Sequence, residues 1–430
     1  MQPSFDTPQF YHLLKRELMI AMGCTEPAAA ALAGAKAKEL LSEEALRYEI
    51  TASRDMVKNA LGVALPNSSL MGIQAAVALG VASGEVAKGL AILSEIDEEQ
   101  QREALEIEVS LTLATEAPPL YISVKAIGVN HTSSATISGE HTRFSRLQID
   151  DSLILSLPLE VESDTSKELI EELSLAQIVE VCEKIEEEEF HFVLEGALTN
   201  YKIATVGREI GYGLEVGKIM GEGLPQEATT LEEAYRLGSV YAAAGSDARM
   251  AGLPLPVVIN SGSGNQGITI SLPILVMGRY LKVSNHLLIK SLALSHLVAL
   301  VLTAKKRRLS PLCGAFTAAI GTACGLTYLQ GGDVAALERS VNNMVGDLTG
   351  IICDGAKGGC ALKIFSSVES AGMSTRLALK GKAPTPLSGI VGKDALQSFA
   401  NLKLLSHEGM EQTDLTILSI MMGSGEICER

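Results

Sequence analysis

The chain has no tryptophan, and aromatic residues make up only 4% of its 430 residues. A β-sandwich draws on aromatic and β-branched side chains. The abundant Ala, Gly and Leu here point instead to closely packed helices. No Cys-x-x-Cys occurs among the seven cysteines, which removes the common zinc arrangement and the bacterial ferredoxin run. Positive charge is also short: 35 Lys and Arg against 51 Asp and Glu leave a net charge near −16. With no broad basic field to collect phosphates, neither nucleic acid nor a membrane surface is an expected partner. The one basic run, Lys305-Lys306-Arg307-Arg308, follows an apolar segment and reads as cations at a helix C-terminus. The opening MQPSFDTPQFYHLLKREL lacks a basic start followed by an apolar run, so no signal peptide is legible. The expectation is a cytoplasmic protein with reduced thiols.

Two further absences shape the reading. No Asp or Glu occurs between Asp247 and Asp333. In so acidic a chain, that span is expected to form the interior around the site. Within it, His286 to Ala304 is nearly long enough to cross a bilayer, but His286, Lys290 and His296 interrupt it. A buried core helix is the expectation. Gly262, Gly264 and Gly267 spell G-x-G-x-x-G after a strand-like run. The dinucleotide fingerprint needs an acidic residue about twenty positions on, and none is there, so NAD is not implied. The glycines more plausibly let a polar loop, with Asn260, Ser261, Ser263, Asn265 and Gln266, approach a small ligand.

What is present centres on Ser310 to Lys363, which holds Cys313, Cys324, Cys353 and Cys360. Cys313, Cys353 and Cys360 sit beside glycine or at the foot of a predicted helix, where backbone N–H groups support thiolate sulfur. Cys324 lies inside an apolar helix and reads as a small hydrophobe. Thiolates among glycines suit a soft metal, with iron–sulfur fitting as well as zinc. Buried free thiols are the competing reading. Near the start, Cys24-Thr25-Glu26-Pro27 leads into the alanine-rich helix AAAALAGAKAKELL. Thr25 is placed to cap it and Pro27 lies in its first turn. That positive helix end suits a substrate carboxylate; an ordinary helix–turn–helix with a stray cysteine explains it equally. Asn67, Ser68 and Ser69 precede a second small-residue helix, either as caps or as polar groups lining a pocket.

From about Ala104 to Leu157 the pattern alternates and is rich in β-branched residues, which predicts three or four antiparallel strands. Helical periodicity resumes near Asp164. Glu186 to Glu189 reads as a solvated helix face, and Asp247 with Arg249 as a buried pair or as site lining. The expected fold is α+β, mainly α. A helical bundle-like domain (1–103 and 158–430) surrounds a buried central helix, and 104–157 forms an inserted antiparallel β lobe.

Taken together, GCTEPAA, LPNSSLMG, SDARMAG, NSGSGNQG, SPLCGAFTAAIG and CDGAKGGC resemble the L-cysteine desulfidase family, which is related to the alpha domain of iron–sulfur L-serine dehydratases. The resemblance covers nearly the whole chain, in order. It extends to a group of bacterial proteins in which membership does not settle the substrate. It implies an oxygen-sensitive [4Fe–4S] cluster on Cys313, Cys353 and Cys360, although the dehydratase motif places its third cysteine farther along. One iron is left open, for which Cys428 and Cys24 compete as a fourth ligand. It further implies an amino acid substrate held by Thr25, Glu26, Asn67, Ser261, Ser263, Gly264, Asn265 and Gln266. The reaction would be β-elimination to pyruvate and ammonia, with Cys24 or Lys357 as catalytic base. No pyridoxal phosphate is implied, because no Schiff-base lysine with a phosphate cup is recognisable. CTEP replaces the serine- and histidine-rich turn of the dehydratases, which tilts the expectation toward cysteine and sulfide. L-serine dehydration and a non-catalytic iron–sulfur carrier or sensor are the alternatives. A homodimer is expected.

Overall fold

The structure is a computed structural model that describes residues 6–159, 170–305 and 311–423. Two cores organise it. The larger lies around the helix Asn285–Lys305, which packs on Gly314–Leu329, Gly264–Leu281 and Glu187–Ile210. Leu292, Leu297, Val301 and their neighbours are fully buried. This is the expected central helix. It is long and apolar enough to cross a membrane by length and composition, yet most of it is buried inside the protein. The acid-free span is interior, as expected: most of Gly264–Leu281 and Gly314–Leu329 is buried too. A chain so poor in aromatics fills this core with Ala, Leu, Ile and Val, whose small, regular side chains let helices approach closely.

The second core lies under a six-stranded sheet. Its strands are β2 (Arg47–Ser53), β3 (Val109–Ala114), β4 (Tyr121–Ile127), β5 (Thr132–Ser138), β6 (Phe144–Ile149) and β7 (Ser152–Ser156), ordered β3-β2-β4-β5-β6-β7. The fold is α+β and mainly α, but the sheet is larger than the sequence suggested. β2 lies outside 104–157 and pairs parallel with β3, Tyr48 opposite Val109; the remaining ladders are antiparallel. The alternation of Tyr48, Ile50 and Ala52, all buried, is the signal that was passed over. Helix Thr25–Leu40 is clamped between this sheet and helix Ile73–Ser83. Being covered on nearly all sides, it buries a continuous run from Pro27 to Ala35, which explains its alanine content and its lack of a polar face.

A short two-stranded sheet ties the two parts together. β1 (Ile20–Met22) pairs antiparallel with β8 (Pro256–Val258), and Asn200 on Glu187–Ile210 fixes β8 by exchanging hydrogen bonds with Val258. The glycine loop that follows β8 therefore opens a helix from an antiparallel pair, and not from the parallel βαβ unit of a dinucleotide site.

Candidate active site

Four helix N-termini meet in one place. Cys24 is the N-cap of Thr25–Leu40, Ser263 that of Gly264–Leu281 and Cys313 that of Gly314–Leu329; Cys360 is the first residue of Cys360–Leu379. The capping residue at the first of these is Cys24, not Thr25 as expected. The Thr25 hydroxyl lies 2.9 Å from the Gly262 carbonyl, an acceptor that ties the Cys24 turn to the glycine loop. The free N–H groups of each helix end create positive potential, so the junction offers a favourable field to an anion despite the acidic chain.

The thiols occupy one side. The Cys313 N–H donates to Ile351 O (3.1 Å) and the Cys353 N–H to Pro311 O (2.7 Å), with Leu312 bridging Ile352, so the Cys313 and Cys353 segments run as a pair. Burial pushes the Cys313 thiol up to about 12, and the neighbouring Cys353 and Cys360 charges add to the rise. Cys360 is pushed to about 11 by burial; the Lys357 N–H opposes the shift while Cys353 and Cys24 add to it. Cys24 rises to about 11, again through burial, with Arg249 pulling it back. Each thiol thus feels its neighbours. Two lysines face them. Lys363 reaches Asp354 and the Ile352 carbonyl and feels Cys313 and Cys353. Burial lowers the Lys58 ammonium, but Cys353, Asp414 and Asp55 hold it above its ordinary value.

The other side is polar and buried. The Arg249 Nη2 donates to Gly23 O at 2.8 Å, while its Nε is buried without a hydrogen-bond partner. Asn265 Oδ1 and Gln266 Oε1 are likewise buried and unpartnered. These atoms adjoin the thiols through two glycines. A Cβ on Gly264 would meet Arg249 Nε at 2.4 Å, and one on Gly314, next to Cys313, would meet the Gln266 amide at 3.1 Å. A guanidinium N–H and two amide oxygens without protein partners have the donor and acceptor character that the carboxylate and ammonium of a zwitterion would take. Cys24, Val63 and Met250 pack as a small buried apolar cluster, with Cys360 and Ala356 against it.

The structure thus gathers Cys24, Thr25, Glu26, Gly264, Asn265, Gln266, Cys313, Cys353 and Cys360. The other candidates have local duties. The Asn67 amide donates to Ser94 O, the Ser261 hydroxyl donates to Asn260 Oδ1, and the Ser263 hydroxyl accepts from the Gln266 N–H. Lys357 is ion-paired with Asp354. Cys428 and Lys306 to Arg308 lie outside the described residues. Lys363, at the end of the cysteine-bearing stretch, was not singled out, and Lys58, Asn59 and His141 were missed. Their only sequence signal is polarity in segments that otherwise read as ordinary helix or hairpin. Glu26 Oε1 is 3.5 Å from Asn59 Nδ2 and 4.0 Å from His141 Nε2.

Among the described residues, no three His, Cys, Asp or Glu side chains are grouped so as to hold a metal ion. A single zinc asks each sulfur to come within about 2.3 Å of one point. Cys313, Cys353 and Cys360 lie near enough for their charges to be felt by one another, and three cysteine sulfurs are the kind of donor that an iron–sulfur cluster takes.

Comparison with known proteins agrees in extent. The Serine dehydratase alpha chain family matches residues 122–419. A UPF0597 protein of Oleidesulfovibrio alaskensis is 37% identical, covering 96% of this chain and 97% of its own. UPF0597 proteins of Parabacteroides distasonis and Clostridium perfringens are 36% and 37% identical, covering 96% and 95% of this chain and 98% and 96% of theirs.

Proposed function

This chain belongs to the serine dehydratase alpha chain family, and from that premise we propose that it is a lyase eliminating the β-substituent of a small L-amino acid, L-cysteine before L-serine. The observation that carries the reading is the buried, unpartnered set of Arg249 Nε, Asn265 Oδ1 and Gln266 Oε1 beside the thiols. The guanidinium binds the α-carboxylate by charge-assisted hydrogen bonds, and the amide oxygens accept from the ammonium. Substrate held this way lays its side chain toward Cys24, Val63 and Met250. That lining of sulfur and aliphatic groups suits a thiol, whereas a hydroxyl placed there loses hydrogen bonds to water without replacement.

Cys313, Cys353 and Cys360 are the residues that would hold a [4Fe–4S] cluster. When bound, its open iron supplies Lewis acidity toward the departing sulfur or oxygen. The protein's own contribution is to fix the amino acid, exclude water and keep the leaving group beside the thiols. Lys58 and Lys363 offset the negative charge gathered there. The family match favours a second reading, serine as substrate in the same geometry.

The test is anaerobic reconstitution with iron and sulfide, followed by sulfide and pyruvate assays on both amino acids. Equal sulfide and pyruvate from cysteine, with kcat/KM above that for serine, supports the first reading. Serine faster than cysteine replaces it with the second. A bound cluster without either product makes the protein a carrier or sensor.

A further inference from the structure

We infer that His141, delivered by the β lobe, takes the α-proton of the bound amino acid, with Glu26 as the positioning residue for its ring. The inference rests on the elimination reading above and supplies the base that reading leaves open. His141 stands in the turn between β5 and β6. Loop-tip side chains usually face solvent, and its neighbours Glu140 and Thr142 do so. The His141 side chain is only 10% exposed, because the turn tucks the ring inward against Glu26. The turn is pinned: the Arg143 N–H donates to Glu140 O, and the Arg143 guanidinium donates to Ser138 O and Pro158 O.

Glu26 is itself 13% exposed and lies at 4.0 Å from His141 Nε2. Its other oxygen is 3.1 Å from the Thr25 hydroxyl, and it follows Cys24, whose thiol feels Arg249. The imidazole thus approaches from the sheet side, while Arg249, Asn265 and the three cluster cysteines come from the helical side. An elimination needs this opposition: the base must reach the Cα–H while the β-substituent faces the thiols. In the step, the Cα–H bond breaks and the proton forms an N–H bond on the imidazole. The released pair becomes the Cα=Cβ bond, and the Cβ–S bond breaks with its pair leaving on sulfur. Sulfur acquires a proton and departs as hydrogen sulfide. The aminoacrylate then takes up water to give pyruvate and ammonia.

The experiment compares wild type, His141→Ala, His141→Gln and Glu26→Gln as full-length, reconstituted proteins matched for iron content, using L-cysteine and its α-deuterated form. Loss of a general base is expected to lower kcat about 100-fold or more, with KM little changed. The α-deuterium isotope effect should grow, and added imidazole should restore part of the rate in His141→Ala. Glu26→Gln should fall less, with the same larger isotope effect. His141→Ala at near wild-type kcat overturns the inference. So does a loss that leaves the isotope effect unchanged and is not rescued by imidazole in His141→Ala, or a loss confined to KM in both histidine variants. Wild-type inactivity on cysteine and serine instead removes the elimination reading, and this step with it.

Discussion

The side-chain amide of Gln266 lies over Gly314, 3.1 Å from where a Cβ on that residue would stand. Through this contact the glycine loop that offers acceptors to an ammonium group rests on the helix that Cys313 caps. In the proposed elimination, substrate positioning and cluster positioning would share this one close approach. Gly314→Ala forces the Gln266 amide to give by a few tenths of an ångström. The expected result is a KM for cysteine raised roughly tenfold, equivalent to about 1.4 kcal/mol, with thermal stability nearly unchanged. Steady-state kinetics and a melting curve check this together.

Arg249 donates to Gly23 O through Nη2, while its Nε has no hydrogen-bond partner among the described residues, and the proposed function gives that side of the guanidinium to the substrate carboxylate. A lysine cannot reproduce both directions. Arg249→Lys should weaken carboxylate binding by about 1.5–3 kcal/mol, seen as a KM raised ten- to a hundredfold with kcat affected less. A change confined to kcat would place Arg249 elsewhere in the reaction.

Cys324 is fully buried in the large core, whereas the proposed function gives Cys313, Cys353 and Cys360 to a cluster. Alanine at any of those three should sharply reduce the iron and sulfide bound after reconstitution. Cys324→Ala should load normally while losing about 1 kcal/mol of stability to a small cavity. Chelation in air should abolish turnover and leave most of the helical circular dichroism intact, since the two cores are built largely of apolar side chains, with Cys313 one member of the larger and Cys353 packed against it.

Lys58 is 2% exposed and pairs with Asp414 at 2.5 Å, joining helix Arg54–Ala60 to helix Glu411–Met422. Asp414→Ala leaves a buried ammonium with Asp55, at 3.7 Å, and the neighbouring Cys353. A loss of about 3 kcal/mol is expected in urea unfolding. Replacing both partners by apolar residues should recover much of it.

His296 sits in the central helix, its Nδ1 3.1 Å from the Asn260 amide nitrogen. Burial lowers its pKa from 6.5 to about 3. Between those values the unfolded chain binds a proton that the folded chain refuses. The neutral ring's contribution to stability is thus complete above about 6.5 and is lost as pH falls toward 3. Urea midpoints for wild type should drop more steeply from neutral to acid pH than those of His296→Gln. Parallel slopes would show that the ring is not held neutral.

How far the site could be read beforehand varied by residue, for physical reasons. Cys313, Cys360 and Cys24 advertised themselves, because glycine, proline and small residues around them mark helix starts in one dimension. The central helix was legible from its apolar length, and the acid-free span from a charge pattern that only burial explains. β2 was missed because RYEITAS follows a helix and precedes another, with no turn signal to set it apart as a strand. Arg249 was seen as either structural or functional. Its role depends on which of its nitrogens finds a partner, and that is a matter of neighbours 226 residues apart in the chain.

The sequence by itself determined the mainly helical class, the thiols at helix ends and the family, since each rests on local pattern or on motifs kept in order. Tertiary structure alone decided which candidates meet. It spent the Asn67, Ser261 and Ser263 polar groups on holding loops, and Lys357 on Asp354. It also brought Lys58 beside Cys353 and His141 beside Glu26, which none of their own segments announces. Helix ends can be read from a few consecutive residues. Their convergence depends on how two separate cores pack, and packing is a property of the whole chain.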